Sequence, residues 1–481
     1  MRSEIFRSCN LLFALGVALL AAQGLTACSS PARVVLPKVE VPASFKEGAA
    51  FTLANPGAAD VPDDWWTLFN DPVLNALQAR LPRANASLQA SAAAVALAQA
   101  AVGSSRAGLY PTANLSGGIN RAANVSTSPR GTSYSVQGGL ASWEIDLWNR
   151  VGSGVDAATA RLQASRNTLA ATQLSLQATL AQTYFSLRTS EALAQVLAQT
   201  TQAYAKSLEL TQNRYQGGVV SAADVAQAQT QLKTAQAQQA EARLQRAQLE
   251  HALAVLVGQA PATFSVEPRT LAGALPIPPA VPLQLPSSLL ERRPDIAAAE
   301  RQMAAANAQM GAAEAAFFPA LTLSVNGGFR NNDLGSLIQS ANKFWSLGPS
   351  LLWAAFDGGA RQAASDSARA SYDQTVATYK QTVLTALQEV EDNLIAATVL
   401  QEEAALQQEA LASARRALDI AQNQYKAGTV SYLLVVSAQT ASLSAERSLL
   451  DVGNRRLAAV NQLLKNIAGR WDKPVSPAVK P

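Results

Sequence analysis

Two spacings of apolar residues follow one another along the chain, and each predicts a different kind of element. From residue 151 to residue 216, leucine and tyrosine recur at intervals of seven and four, which is the heptad-like pattern of packed helices. About 60 helical residues at about 1.5 Å each would form a helix roughly 90 to 100 Å long. After Pro111 and Pro319, apolar and polar residues alternate instead, which predicts strands with one apolar face.

Four strands are expected in each chain. Each alternating stretch would pair with a partner, at about 134–144 and about 345–356, across polar loops at 121–133 and 331–343. Trp345, Leu347, Leu351 and Trp353 would share one face of the last strand. Pro349 lies on the same face and predicts a bulge or irregular pairing, because proline has no N–H to donate.

These elements recur with a fixed period. The segment NRYQGGVVSAADVAQAQTQL, which begins at Asn213, aligns without a gap to NQYKAGTVSYLLVVSAQTAS, which begins 210 residues later at Asn423. Each copy would contain a helix, a hairpin, a long helix, a turn and a second long helix. The predicted organisation is a first repeat at 72–270, a Pro-rich connection at 271–286, a second repeat at 287–470 and a C-terminal tail at 471–481.

The N-terminus predicts export and lipid attachment. Residues 1–27 have the layout of a signal peptide, with a basic start, the apolar run LLFALGVALLAA and small residues. The cleavage site reads LTAC, the lipobox pattern in which Cys28 becomes the lipid-modified first residue. The alternative is a chance cysteine beside an ordinary signal peptide. Ser29 favours sorting to the outer membrane, and residues 28–71 would form a lipidated, extended N-terminal segment.

Composition narrows the function classes. A formal charge of +4 and 15% charged residues, with no run of lysine or arginine, indicate no nucleic-acid partner. Cys9 lies in the signal peptide, so the mature chain would keep only Cys28, and neither a disulfide nor a metal site is expected. His251 is the single histidine, so no Ser/His/Asp or Cys/His set can be assembled. The chain is predicted not to be an enzyme and to have no cofactor besides the covalent lipid at Cys28.

The strands are predicted to cross a membrane. The mature chain is expected to lack any apolar span of about 18 residues, and aromatic residues stand at strand ends: Tyr110, Tyr134, Trp143, Phe318, Trp345 and Trp353. Open strand edges are excluded from hydrocarbon, because nothing there would pair their N–H and C=O groups. Membrane barrels begin at about eight strands, so several copies of a four-stranded chain must share one. The alternative is a small soluble sheet packed on helices.

Several stretches carry a resemblance to one family. They are PDDWWTLFNDPVLNAL at 62–77, WEIDLW at 143–148, LLERRPDIAAAE at 289–300, FFP at 317–319, AAFDGGAR at 354–361 and the two helical turns. In order and spacing they resemble the NodT and OprM type of outer-membrane efflux lipoproteins, relatives of TolC, over nearly the whole mature chain. LPRANASL at 81–88 departs from the family's Asn-Pro-Asp-Leu and leaves the start of that helix open.

The resemblance implies an α+β membrane protein and a trimeric TolC-like tube. Four strands per chain would join a shared 12-strand barrel, the long coiled helices would form a periplasmic α-barrel, and the terminal segments would form a belt around it. The implied location is the bacterial outer membrane, lipid-anchored through Cys28, which palmitate would modify, and extending into the periplasm.

The resemblance also implies a task. The chain would be the outer-membrane channel of a tripartite efflux pump, a passive duct for drugs or other small molecules that contributes to multidrug resistance. Its partners would be two further copies, a periplasmic adaptor and an inner-membrane transporter of the RND type. Two alternatives are an outlet channel for type I protein secretion and a periplasmic adaptor or other coiled-coil lipoprotein.

The turn between the last two helices is the implied gate. In this family the periplasmic end is closed after the second turn, often by acidic rings; Tyr425 matches the gate tyrosine, and Leu434 and Ser437 match the ring positions. An apolar closure around Leu434 is therefore expected. Asp224 is the equivalent of Leu434 in the first copy, and its alternative role is a capping box with Ser221.

The two turns are also the implied docking points for adaptor hairpins. Glycine suits the left-handed end of a helix, and serine suits the start of the next one. The residues concerned are Gly217, Gly218 and Ser221 in the first turn and Gly428 and Ser431 in the second.

Overall fold

The computed structural model describes residues 37, 40–50, 62–124, 128–269, 275–281 and 292–468. The predicted signal peptide, the lipid site at Cys28 and the tail at 471–481 lie outside the described residues, as does most of the Pro-rich connection.

The described elements follow the predicted order. The helices are α1 (Pro72–Ala84), α2 (Ala86–Ala107), α3 (Arg150–Gln216), α4 (Ala222–Leu256), α5 (Pro294–Ala315), α6 (Ala360–Ala427) and α7 (Tyr432–Ile467). The strands are β1 (Ala113–Asn124), β2 (Ser128–Glu144), β3 (Ala320–Asn331) and β4 (Lys343–Leu352). A helix, a hairpin and two long helices therefore occur in the same order in both halves of the chain.

The chain folds as two compact units. One contains Val95–Ala164 and Ala299–Tyr379, which include the sheet; the other contains Val39–Ala94, Ser165–Ala298 and the residues from Lys380 onward. The long helices α3 and α6 each begin in the first unit and end in the second.

The four strands form one antiparallel sheet in the order β1-β2-β3-β4, so β1 and β4 are its edges. Residues directly opposite each other in an antiparallel pair project to the same face. The register places most of the large apolar residues of the four strands on one face: Ala113 and Leu140, Val136 and Phe329, Leu140 and Val325, Val325 and Leu347, and Leu321 and Leu351 are opposite pairs.

That apolar face is exposed. Leu115 is 83% exposed and Trp345 is 77% exposed, although both are large apolar side chains. The opposite face is polar, with Asn114 opposite Gly139, Ser116 opposite Gln137 and Asn326 opposite Ser346. Exposed apolar surface of this extent marks an interaction site, and its alternation with polar residues is the pattern of a membrane-barrel strand.

Three sequence expectations about the strands are corrected. The first hairpin loop is shorter than 121–133, since β1 extends to Asn124 and β2 begins at Ser128. The last strand ends at Leu352, so Trp353 lies just outside it. Pro349 pairs with Leu323 in an unbroken register, and the described irregular pairings lie instead between Leu140 and Trp143 of β2 and between Ala122 and Asn124 of β1. Within one chain β4 is an edge strand, a position where a residue without an N–H is tolerated.

The expectation of no apolar 18-residue span was wrong. Within the described residues, the helical stretch Pro72–Ala107 is long and apolar enough to cross a membrane by length and composition alone. Much of the stretch is alanine, whose methyl group buries little apolar surface. It is also interrupted, since Asn85 has an extended backbone between α1 and α2.

Asn85 also settles where α2 begins. Its side-chain oxygen accepts a hydrogen bond from the backbone N–H of Leu88 at 3.1 Å, and its amide donates to the carbonyl of Leu256 at 2.9 Å. Asn85 is therefore the N-cap of α2, the position that the departure from the family motif had left open.

Equivalent contacts fasten the helices to the two hairpins within the first unit. The indole N–H of Trp143 donates to the carbonyl of Leu109 at 3.2 Å, and that of Trp353 donates to the carbonyl of Phe317 at 3.2 Å. These two bonds join the end of a strand to the end of the preceding helix at matching positions of the two halves.

The core of the second unit is aromatic and aliphatic. Trp65, Phe69, Tyr184 and Phe185 are buried together with leucines of α1, α3, α4 and α7. Because it packs into this core, the segment expected to be extended at 28–71 contains two short 3₁₀ helices, Lys46–Ala50 and Trp65–Phe69.

A charged network crosses this core. The Arg188 guanidinium contacts Glu191 at 2.7 Å and donates a hydrogen bond to the Tyr184 hydroxyl. The Tyr184 hydroxyl in turn donates to Asp71 at 2.7 Å. Arg269 binds the same Asp71 at 2.8 Å. Buried charges are tolerated when each has a partner of opposite sign, so this network fixes the residues before α1 and after α4 to the middle of α3.

Gly328 of β3 is a position where the backbones approach too closely for a side chain. A Cβ atom there would lie 2.2 Å from the carbonyl oxygen of Val136, whereas a Cβ at Gly348 of β4 would have nothing within 4 Å. Both residues lie on the polar face of the sheet. We expect Gly328→Ala to destabilise the sheet by about 1–3 kcal/mol and Gly348→Ala to be neutral. Thermal unfolding followed by the strand circular-dichroism signal measures the difference; equal midpoints for both variants would contradict the close packing.

Candidate functional site

The candidate site consists of the two turns that join α3 to α4 and α6 to α7, with the residues that pack beneath them. Both turns close in the same way. Val219 N–H donates to the Arg214 carbonyl at 2.9 Å, and Thr429 N–H donates to the Gln424 carbonyl at 3.1 Å. Gly218 and Gly428 have positive φ angles of 72° and 80°, the left-handed geometry that glycine adopts without strain.

Gly217 was expected to share this role but does not. Its φ angle is not positive, and the matching position of the second turn is Ala427, the last residue of α6. The left-handed residue is therefore the second glycine of the pair, two positions after the end of α3, whereas Gly428 directly follows the end of α6.

The two turns differ at the start of the next helix. Ser221 and Asp224 form a reciprocal capping box: Asp224 N–H donates to the Ser221 hydroxyl at 3.3 Å, and Ser221 N–H donates to the Asp224 carboxylate at 3.0 Å. Ser431 occupies the N-cap of α7 with an extended backbone, but its side chain makes no cap hydrogen bond. Position N3 there is Leu434, which has no carboxylate to complete the box.

Tyr425 is buried inside its own chain. It is 4% exposed and packs with Tyr432, whose ring centre lies 5.3 Å away. Its hydroxyl donates to Thr211 at 3.4 Å, and the Tyr432 hydroxyl lies 3.3 Å from the Ser207 hydroxyl. Tyr425 and Tyr432 thus join the end of α6 and the start of α7 to the last turns of α3.

Arg214 strengthens the same junction from α3. Its guanidinium donates to the Tyr425 carbonyl and lies 4.7 Å from the centre of the Tyr425 ring. Reasoning from the sequence missed this residue. The available signal was a difference between the copies, since the position equivalent to Arg214 in the second copy is Gln424.

Leu434 and Ser437 lie on the outer side of this junction. Leu434 is 45% exposed and the adjacent Leu433 is 65% exposed, whereas Val435 and Val436 are buried. The Ser437 hydroxyl donates to the Leu433 carbonyl of its own helix at 3.0 Å. The first turn of α7 therefore presents leucine side chains outward and no acidic group.

Burial raises the pKa of two tyrosines at or near this junction, Tyr432 and Tyr204. It raises the pKa of Tyr432, an effect opposed in part by the hydrogen bond with Ser207. Burial, with a smaller contribution from Tyr432, raises the pKa of Tyr204 to about 12. A buried phenol is costly to ionise, so these rings pack as neutral groups.

Sequence comparison decides the family. The chain matches the family described as outer membrane efflux protein over residues 77–259 and 285–469. The chain belongs to this family. Outer membrane protein OprJ of Pseudomonas aeruginosa is 32% identical over 464 residues, which cover 95% of this chain and 96% of OprJ.

Two further members of the family give the same result. The toluene efflux pump outer membrane protein TtgC of Pseudomonas putida is 31% identical over 443 residues, which cover 90% of this chain and 91% of TtgC. The open state of the MtrE outer membrane channel of Neisseria gonorrhoeae has a TM-score of 0.80 and 28% identity, over 92% of this chain and 98% of MtrE.

The predicted family and TolC-like fold are thus confirmed, with an outer-membrane location. The relatives are named as outer membrane components of pumps and as channels, which agrees with a protein that is not an enzyme.

The Arg214 contact can be tested by giving α3 the residue of the second copy. We expect Arg214→Gln to remove a charged hydrogen bond worth about 1.5–3 kcal/mol and to accelerate amide hydrogen exchange at residues 425–432. Arg416→Gln is the control, since Arg416 is exposed on α6. Unchanged exchange in Arg214→Gln, or an equal change in the control, would show that Arg214 does not hold the turn.

Proposed function

We propose that this chain is the outer-membrane channel of a tripartite efflux pump, a passive duct for drugs or other small molecules from the periplasm to the exterior. The observation that carries the proposal is the sheet. One face exposes apolar side chains, the other is polar, and each edge strand has one side that no described strand pairs. A water-filled pore in a membrane needs this combination of an apolar outside and a polar inside.

The unpaired edges support a homotrimer. Each backbone N–H or C=O left unpaired in hydrocarbon costs several kcal/mol, so β1 of one copy would pair with β4 of the next. Three copies of the four-stranded sheet would give the 12 strands that the family resemblance implies.

Exposed side chains on the helices support further contacts between copies. Ile395, Val399, Leu406 and Ile420 of α6 are exposed, and their spacings of four, seven and fourteen residues keep them on one stripe of a helix. In the aqueous periplasm this stripe would remain in water unless a neighbouring helix covered it. The stripe suits the wall of a periplasmic α-barrel.

The second turn supports a gate that is closed by apolar side chains. Leu434 projects outward beside Ser437, while Tyr425 and Arg214 hold α6 against α3. Gathering Leu434 from three copies around one axis would remove apolar surface from water and stabilise closure. Asp224 belongs to the start of α4, because both capping bonds engage it.

The turns also support docking of a periplasmic adaptor. Gly217, Gly218, Ser221, Gly428 and Ser431 are all exposed, so an adaptor hairpin could reach them. The adaptor would join the channel to an inner-membrane transporter of the RND type. The lipid on Cys28 would anchor the N-terminal segment to the outer membrane.

Efflux is tested by deleting the gene in the bacterium that carries it. We expect several-fold greater accumulation of a fluorescent dye such as ethidium and greater sensitivity to several unrelated antibiotics, both reversed by the wild-type gene. Unchanged accumulation together with loss of a secreted protein would overturn this proposal in favour of protein secretion.

The apolar gate is tested by Leu434→Asp in planar lipid bilayers. Carboxylates from neighbouring copies would repel one another and attract multivalent cations, so we expect a larger open probability and a new block by hexamminecobalt(III). Leu433→Asp is the matched control, because the preceding helical position points about 100° away. Conductance and cation block equal to wild type would contradict a gate at Leu434.

A further inference from the structure

The polar face of the sheet has very few charged residues. Among the residues whose strand pairing is described, Glu144 lies at the helical end of this face and Arg330 at the opposite end. Arg150 donates to Glu144 through Nε at 2.9 Å, so Glu144 is neutralised within its own chain. Arg330 makes no ion pair with any described carboxylate.

The register fixes which face Arg330 occupies. It stands opposite Ser135, two residues beyond Gly328, which stands opposite Gln137. Other basic residues of the same region fall on the apolar face. Lys343 stands opposite Phe329, and Arg121 is two residues from Ile119 on the same side of β1.

One aromatic residue interrupts the polar face beside Arg330. Phe344 stands opposite Gly328, and the Arg330 guanidinium carbon lies 5.3 Å from the centre of the Phe344 ring. Because Gly328 has no side chain, the Arg330 side chain has room beside Gly328 to reach the Phe344 ring on β4. A cation–π contact of this kind stabilises a partly exposed arginine modestly, and it accounts for an aromatic side chain on an otherwise polar face.

The nearest carboxylate along the chain is turned to its own loop. Asp333 accepts hydrogen bonds from the Gly335 N–H at 3.2 Å and from the Ser336 hydroxyl at 2.8 Å. Asp333 therefore anchors the loop between β3 and β4 and does not compensate the charge of Arg330.

We infer that Arg330 determines the charge selectivity of the pore and makes it favour anions, including carboxylate-bearing solutes. This inference rests on the proposed function, in which the polar face lines a pore shared by three copies. Three arginines would then form a ring near the outer mouth. Arginine keeps its charge at every working pH and binds carboxylates in a bidentate manner.

The inference is tested by reversal potentials in planar bilayers across a potassium chloride gradient. The measurement is made below about 0.1 M salt, where the screening length exceeds about 10 Å. We expect the wild-type channel to favour chloride and Arg330→Gln to lower the chloride-to-potassium permeability ratio about threefold. Arg330→Lys should keep the wild-type ratio.

Lys343→Gln is the matched control. It removes the same charge from the same end of the same hairpin, but from the apolar face, so the ratio should not change. A conducting Arg330→Gln channel with the wild-type ratio, or an equal shift in Lys343→Gln, overturns the role of Arg330. A wild-type protein that conducts no ions contradicts the proposed channel itself, which is a separate outcome.

Discussion

Backbone hydrogen bonding at the two edges of the sheet is the constraint on which the rest of the structure depends. Within one chain, β1 and β4 each have a side that no described strand pairs. In water such edges are solvated, but in hydrocarbon each unpaired group costs several kcal/mol. The apolar face favours the membrane, but the open edges exclude a lone sheet from hydrocarbon. Both conditions are met only if other chains complete the barrel.

This constraint connects the sheet to the helices. Each hairpin lies between a shorter helix and a pair of long helices, and the tryptophan bonds from Trp143 and Trp353 join strand ends to helix ends at matching positions. In the second unit, the stripe on α6 and the leucines in the first turn of α7 are also exposed, so they too are surfaces that another copy could cover.

Patterns of short range were predictable from the sequence because they follow from local chemistry. The alternation of apolar and polar residues predicted the strands, and the heptad spacing of leucine and tyrosine predicted the long helices. Ser221, followed three residues later by Asp224, predicted the capping box. The error at Pro349 has a related cause: proline disfavours the interior of a sheet, but its position at an edge depends on the order of the strands.

Contacts between distant residues could not be derived in this way. Arg214 and Tyr425 are 211 residues apart, and only the packing of α6 against α3 brings them together. The close approach of β3 to β2 at Gly328 likewise depends on neighbours in space. Comparing the two copies residue by residue is the most informative substitute, since Arg214 against Gln424 and Asp224 against Leu434 mark the places where the turns differ.

Native mass spectrometry of the detergent-purified protein tests the central claim most directly. The account predicts a complex with the mass of three chains that persists while the strand signal of the sheet persists. A stable single chain that keeps its full strand content would contradict it, because that chain would hold open sheet edges without any partner.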